Sequence, residues 1–364
     1  MTEAAQADPF ARQRLIEGWD QDRIRTATAV VAGSGALGNE VAKNLALAGA
    51  GRLILCDPDV VEPSNLSRCV LFTRDDVGRP KVEAAAAALA ALAPATQVVA
   101  RRATLASGVG LGELACAQIV LGCLDSRQAR QELLGRCALA GAPLVDGGTG
   151  PWSGEVRVRT GPEEGCYVCS LTPYERGESD VPRSCAEIQP PGHEPASIAI
   201  TALTAAWMTT TAMRILLALP VTYPALRIDA VTGSTAQLKL PRDPQCPYHE
   251  PPPGVDRQLE VTNHDTVADF LAAVPHAVDA HAWAAFSVTF SCLRCGAKTG
   301  YDEERKAAGL SRCAQCGAVI RHRVSSNLVE ADPSASLRAL GVAPREILRV
   351  RTAEGGIQWV KLAG

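Results

Sequence analysis

Residues 28–38 read TAVVAGSGALG. A short β-branched and apolar run, Thr28 to Ala32, breaks directly into Gly33, Gly35 and Gly38; a helical pattern, Asn39 to Ala48, and a second strand-like run, Arg52 to Cys56, come next. Strand, glycine turn, helix, strand is the opening of a nucleotide-binding α/β fold. The glycines let the backbone turn tightly and approach a phosphate, and the helix aims its N-terminal N–H groups and positive dipole end at it. Working outward, Lys81 to Leu92 is an alanine-rich helix, with Pro80 suited to its first turn and Pro94 ending it. Further strands are expected at Gln97–Arg101, Ile119–Gly122, Pro143–Asp146, Glu155–Arg159 and Ala236–Lys239, with a helix over Ser126–Ala140. This alternation predicts a Rossmann-like, doubly wound mixed sheet covered on both faces.

The chain has 364 residues, 47% of them hydrophobic, enough to bury a large domain and a smaller one. The stiff PPPG at Pro251–Gly254 divides an expected domain at 1–250 from a C-terminal module at 251–364. A formal charge of −3 leaves no excess of Lys and Arg to attract nucleic acid. The N-terminus MTEAAQADPFARQR lacks a basic start and an apolar run, so a cytoplasmic location is expected. Ile198 to Pro220 is apolar but contains Arg214 and little large aliphatic surface; it reads as a buried helix rather than a membrane span. Several of the 13 cysteines fall in C-x-x-C pairs, which in a cytosolic chain point to zinc.

Asp57 closes the second strand and can accept hydrogen bonds from ribose hydroxyls. To that point an NAD-dependent oxidoreductase reads equally well. The stretch that begins at Asp57, DPDVVEPSNLSRCVLF and then DDVGRPK, places Asn65, Arg68 and Lys81 beyond the strand, where a dinucleotide fold has no use for them. Triphosphate chemistry does: Arg and Lys neutralise charge building on departing pyrophosphate, and Asn can orient a phosphate or a metal-bound water.

From Phe10 to His249 the sequence resembles the ThiF/MoeB family, bacterial relatives of ubiquitin-activating enzymes. The resemblance implies ATP, Asp57 at the ribose, Asn65, Arg68 and Lys81 at the phosphates, and Asp125 of LGCLDSRQAR holding magnesium. Asp59 is a second acidic candidate. Relatives usually carry Asn after the magnesium-binding Asp; here Ser126 stands there and the carboxylate is kept. FARQR resembles the family's Arg–Gln segment, whose arginine reaches ATP from the other subunit, so Arg12 and a homodimer are implied.

Cys166-Tyr-Val-Cys169 and Cys246-Pro-Tyr-His249 form two half-sites for tetrahedral zinc; relatives commonly carry Cys where this chain has His249. Cys292-Leu-Arg-Cys295 and Cys313-Ala-Gln-Cys316, with 17 residues between, fit a zinc ribbon over 292–316. Four thiolates leave no open position for water, so this zinc is expected to be structural. The helix VADFLAA and the terminal strands around EGG faintly resemble the ubiquitin-fold module that recruits conjugating enzymes. Cys185, in SDVPRSCAEIQPPGHEPAS between Arg183 and His193, resembles the cysteine that attacks the carrier adenylate in some members.

The function implied is ATP-dependent adenylation of the C-terminal carboxylate of a ubiquitin-like or sulfur-carrier protein. A sulfurtransferase or conjugating enzyme would be a further partner. The competing readings are adenylation of a small peptide, an NAD-dependent oxidoreductase, and a silent relative that only binds a carrier.

Overall fold

The structure is a computed structural model that describes residues 8–172, 176, 197–250, 253–288, 290–299, 310–313, 315–321 and 323–364. Cys185, Arg183 and His193 lie outside them. The chain divides into two compact units: the described residues of Met1–Arg102 and Leu114–Pro252 form one, and those of Ala103–Glu113 and Pro253–Gly364 the other.

The first unit runs β1 (Thr28–Ala32), α1 (Ala36–Leu47), β2 (Arg52–Cys56), α2 (Lys81–Leu92), β3 (Gln97–Arg101), β4 (Ile119–Gly122), α3 (Arg127–Ala140), β5 (Leu144–Thr149), β6 (Ser153–Arg159), α4 (Ile198–Leu216), β7 (Ala225–Asp229) and β8 (Ser234–Leu238). These eight strands form one sheet in the order β3-β2-β1-β4-β5-β6-β7-β8. The first five are parallel and the last three antiparallel. Central strands β1, β2 and β4 are buried along almost their whole length, as expected of continuous apolar runs covered on both faces. β3 and β8, at the two edges, are the most exposed. α4 carries threonines into the core because their hydroxyls donate to carbonyls one turn back, Thr204 to Ile200 and Thr211 to Trp207 among them. Among the described residues no helix is long and apolar enough to cross a membrane.

Chain order reverses between β1 and β4, where ligands bind in open α/β sheets. In register, Ala32 pairs with Cys56 on one side and Gly122 on the other, so the three strands end level. The next residues along each strand, Gly33, Asp57 and Cys123, lie together at the C-terminal ends of these central strands.

The second unit contains β9 (Arg257–Gln258), β10 (Ala277–Val288), β15 (Arg323–Asn327), β16 (Ile347–Thr352) and β17 (Ile357–Lys361), which form a mixed sheet in the order β15-β10-β16-β17-β9. α5 (Val267–Ala273) packs Val267 and Phe270 into a core with Ala280, Phe286, Leu348, Val350 and Val360. A Thr266–Asp269 capping box fixes its start. Two small hairpins, β11 (Phe290–Ser291) with β12 (Lys298–Thr299) and β13 (Leu310–Arg312) with β14 (Val319–Arg321), lie in sequence between β10 and β15.

The two units part within the PPPG stretch, and the second also takes in a segment from the first part of the chain. Residues 103–113, between β3 and β4 in sequence, belong to the second unit. The Leu111 and Ile347 N–H groups both donate to the buried Glu346 carboxylate at 2.9 Å. A Cβ on Gly110 would lie 2.1 Å from the Pro344 carbonyl oxygen, so only glycine permits this approach. Val109 and Leu111 are fully buried and Leu105 nearly so. Ending the chain at residue 252 exposes these side chains, at about 1.5–3 kcal/mol each. The truncated protein is expected to melt well below the full chain; equal melting temperatures would contradict this division.

Candidate functional site

The glycine turn is fixed from inside the chain. Gly33 has φ +92°, and a Cβ there would lie 2.4 Å from the Cys123 carbonyl oxygen. A Cβ on Gly38 would lie 1.9 Å from the Gly33 carbonyl oxygen, so the first turn of α1 can approach β1 only with glycine there. Gly35 is different: its position faces open space within 4 Å, leaving the backbone before α1 approachable by a phosphate. Asn39 clamps the turn. Its Nδ2 donates to the Ser34 and Gly35 carbonyls at 2.8 and 3.1 Å, and its Oδ1 accepts from the Leu71 N–H at 2.9 Å. In the sequence Asn39 is one of several polar residues on a helix that also carries Glu40, Lys43 and Asn44, and only its bonds to the turn set it apart.

Asp57 is buried at the end of β2. Its two oxygens accept from the Ser34 N–H at 2.7 Å and the Asp59 N–H at 2.9 Å. Burial raises its pKa above the ordinary carboxylate value, partly offset by the Ser34 N–H and the charge of Lys81. Each oxygen keeps a further lone pair that can accept a hydrogen bond.

Lys81 returns to this end of β2 through a short antiparallel bridge between Val60 and Pro80 and a bond from its own N–H to the Asp59 carbonyl at 3.0 Å. Its Nζ pairs with Asp59 Oδ2 at 2.9 Å. Burial alone would lower the ammonium pKa, but the Asp59 bond and the charges of Asp57 and Asp59 outweigh it and hold Lys81 above its ordinary value. Asp59 is thus engaged by Lys81 here. Asn65 is buried and its Oδ1 accepts from the Glu62 N–H at 2.9 Å, capping the 3₁₀ turn Pro63–Ser67. Arg68 comes directly after that turn and donates to the Ser64 carbonyl at 2.9 Å. The Cys69 thiol, pushed up to about 11 by burial, feels the charges of Arg68, Lys81 and Asp57, which gather around it.

Asp125 is exposed between β4 and α3. Ser126 is the N-cap of α3, accepting from the Ala129 N–H at 3.1 Å, so serine does there what asparagine would do. A single exposed carboxylate would suit magnesium, which keeps several waters, only with phosphate oxygens of a nucleotide to complete its shell. Arg12 stands exposed at the N-cap of the 3₁₀ turn Gln13–Leu15, apart from this cluster in sequence and bonding.

Both metal sets assemble. Cys166, Cys169, Cys246 and His249 bring their ligand atoms within 4.8 Å of one another, as do Cys292, Cys295, Cys313 and Cys316. Tetrahedral zinc with bonds of about 2.3 Å holds sulfurs about 3.8 Å apart. Observed separations are 3.6 Å for Cys166 to both Cys169 and Cys246, 3.8 Å for Cys292 to Cys316 and 3.7 Å for Cys295 to Cys313. His249 Nδ1 bonds the Pro162 carbonyl at 2.7 Å, leaving Nε2 to face the thiols. Nε2 lies 2.9 Å from Cys169 Sγ, closer than a zinc tetrahedron would hold them, so metal entry must part these two. The ribbon halves repeat one geometry: the Cys292 and Cys313 N–H groups donate to Ala297 and Ala318, and Gly296 and Gly317 take positive φ. Metal analysis of the purified protein is expected to give about two zinc ions per chain; one would mean that a set was misread.

A family model described as the ThiF family matches residues 10–248. The chain is 35% identical over 252 residues to a sulfur carrier protein adenylyltransferase of Thermus thermophilus, covering 66% of this chain and 89% of that one. It is 35% identical over 164 residues to the sulfur carrier protein ThiS adenylyltransferase of Escherichia coli, covering 44% of this chain and 65% of the relative. The fold is shared with a crystal structure of E. coli MccB with ATP, at TM-score 0.55 and 20% identity over 68% of this chain and 76% of that one. On the match of residues 10–248, the chain belongs to the ThiF family.

Proposed function

We propose that this protein is an adenylyltransferase that activates the C-terminal carboxylate of a sulfur-carrier or ubiquitin-like protein with ATP. The observation that carries the reading is the return of Lys81 to the glycine turn and Asp57, an arrangement with no role in hydride transfer. The name of the Thermus relative, which this chain covers almost throughout, supports the carrier as substrate.

In this reading the carrier's terminal carboxylate attacks the α-phosphate of ATP and pyrophosphate leaves, with no protein nucleophile needed. Gly35 and the start of α1 receive phosphate oxygens, and Asp57 accepts from the ribose. Lys81 and Arg68 neutralise the charge that moves onto pyrophosphate, Lys81 exchanging its bond to Asp59 for one to a phosphate oxygen. Asn65 holds the turn that presents Arg68. Asp125 would hold magnesium, whose chemistry is to neutralise phosphate charge. Arg12 is proposed to act across a homodimer; the exposure of Leu15 and Ile16 beside it supports a surface that a second copy covers. Cys185 is proposed as a later acceptor of the activated carboxylate, and the zinc-bearing module as the docking element for a sulfurtransferase or conjugating enzyme.

ATP–pyrophosphate exchange that depends on a carrier ending in Gly-Gly tests the reading. Exchange with a short peptide but not with the carrier would transfer it to peptide adenylation. Reduction of a nicotinamide cofactor without exchange would overturn it.

A further inference from the structure

Arg130 lies outside the nucleotide cluster, yet it is bonded to the loop that carries Asp125. It sits one turn into α3 with its side chain 13% exposed, and donates from Nη1 to Asp146 Oδ2 on β5 at 2.9 Å. From Nη2 it donates to the carbonyl of Leu124 at 2.7 Å, the residue immediately before Asp125. The small residues around the pair leave room for it. A Cβ on Gly122 would lie 2.4 Å from Asp146 Oδ1, and one on Gly148 would lie 3.1 Å from the Arg130 guanidinium. Burial raises the Asp146 carboxyl pKa, and Arg130, although buried, is held above its ordinary value by Asp146. A buried ion pair is seldom more stabilising than apolar residues of the same volume. What this pair supplies is geometry: a planar guanidinium, fixed from β5, holding one named carbonyl of the β4–α3 loop.

We propose that the Arg130–Asp146 pair is a positioning device for Asp125, holding the Leu124 carbonyl so that the next residue presents its carboxylate to the nucleotide-bound divalent ion. The proposal rests on the reading of Asp125 as that ion's ligand. Asp146 orients Arg130, Arg130 fixes the loop, and neither touches substrate.

The test uses the full-length, zinc-loaded protein and the binding of Mn²⁺ in the presence of ATP, read by electron paramagnetic resonance. Zinc content and melting temperature are recorded alongside. Arg130→Lys keeps the charge but loses the two-pronged fork; Asp146→Asn keeps the shape but loses the charge, and serves alone if the first variant does not fold. Each is expected to weaken Mn²⁺ binding by about tenfold, the lower range for residues that orient a metal ligand. In an Asp125→Ala background the same substitutions are expected to add nothing. Unchanged Mn²⁺ affinity with a lower melting temperature would overturn the proposal and leave the pair a structural one. An equal loss with and without Asp125 would overturn it too. If Asp125→Ala itself retains wild-type Mn²⁺ affinity, the assignment of Asp125 falls and the positioning role with it; if only Arg130 and Asp146 prove silent, Asp125 stands and the positioning role alone is lost.

Discussion

Lys81→Ala is expected to lower ATP–pyrophosphate exchange about a hundredfold while leaving the melting temperature unchanged. Lys81 opens α2 with its side chain 12% exposed and paired at 2.9 Å to Asp59. Its pKa lies above the ordinary lysine value, so the charge is present throughout the working pH range. Removing one preorganised charge from a transition state costs about 3 kcal/mol, or a hundredfold in rate. The fold does not depend on it: Asp59, 64% exposed, is rehydrated when its partner goes, and a helix N-terminus gains nothing from a cation. Asp125→Ala should behave alike. Wild-type exchange in both variants would sink the assignment of the phosphate site.

The second large effect is structural. Cys166→Ser removes a buried ligand from a set that ties the loop after β6 to the segment after β8, 80 residues apart. Structural zinc contributes on the order of 10 kcal/mol, comparable with the whole stability of a domain. The variant is therefore expected to lose zinc and to unfold the first unit at ordinary temperature, taking adenylation with it. Cys313→Ser breaks a set confined to the second unit and is expected to spare pyrophosphate exchange while impairing a partner-dependent step. Calorimetry with zinc analysis separates the two; equal loss of exchange in both variants would reject the division of roles.

Much of this was legible in the sequence because it is local. The glycine turn, the alanine-rich helix after Pro80 and the four C-x-x-C or C-x-x-H half-sites each declare themselves within a few residues. The features that stayed hidden depend on pairs distant along the chain. Asp59 read as a free acidic candidate, and only the bridge at Val60 and Pro80 shows it held by Lys81, 22 residues on. β7 was missed because its five residues sit between proline and a turn without a long alternating pattern. Residues 103–113 carry no motif that ties them to the C-terminal module; their burial against 344–347 is a tertiary fact. Arg130 and Asp146 look like one more helix charge and a strand-end carboxylate until they meet. Cys185 lies outside the described residues, and its assignment still rests on the likeness of its SCAE stretch to other members.

In the proposed reaction a carboxylate at a carrier's C-terminus becomes an acyl adenylate on this protein. The most direct measurement is the intact mass of a carrier ending in Gly-Gly after incubation with the protein, ATP and magnesium, with pyrophosphatase present to draw the reaction forward. A carrier species heavier by one adenylyl group is expected, absent when the terminal glycine is removed and formed about a hundredfold more slowly when Lys81→Ala replaces the wild type. A carrier of unchanged mass, with ATP left intact by a protein whose two zinc sites are filled, would contradict it.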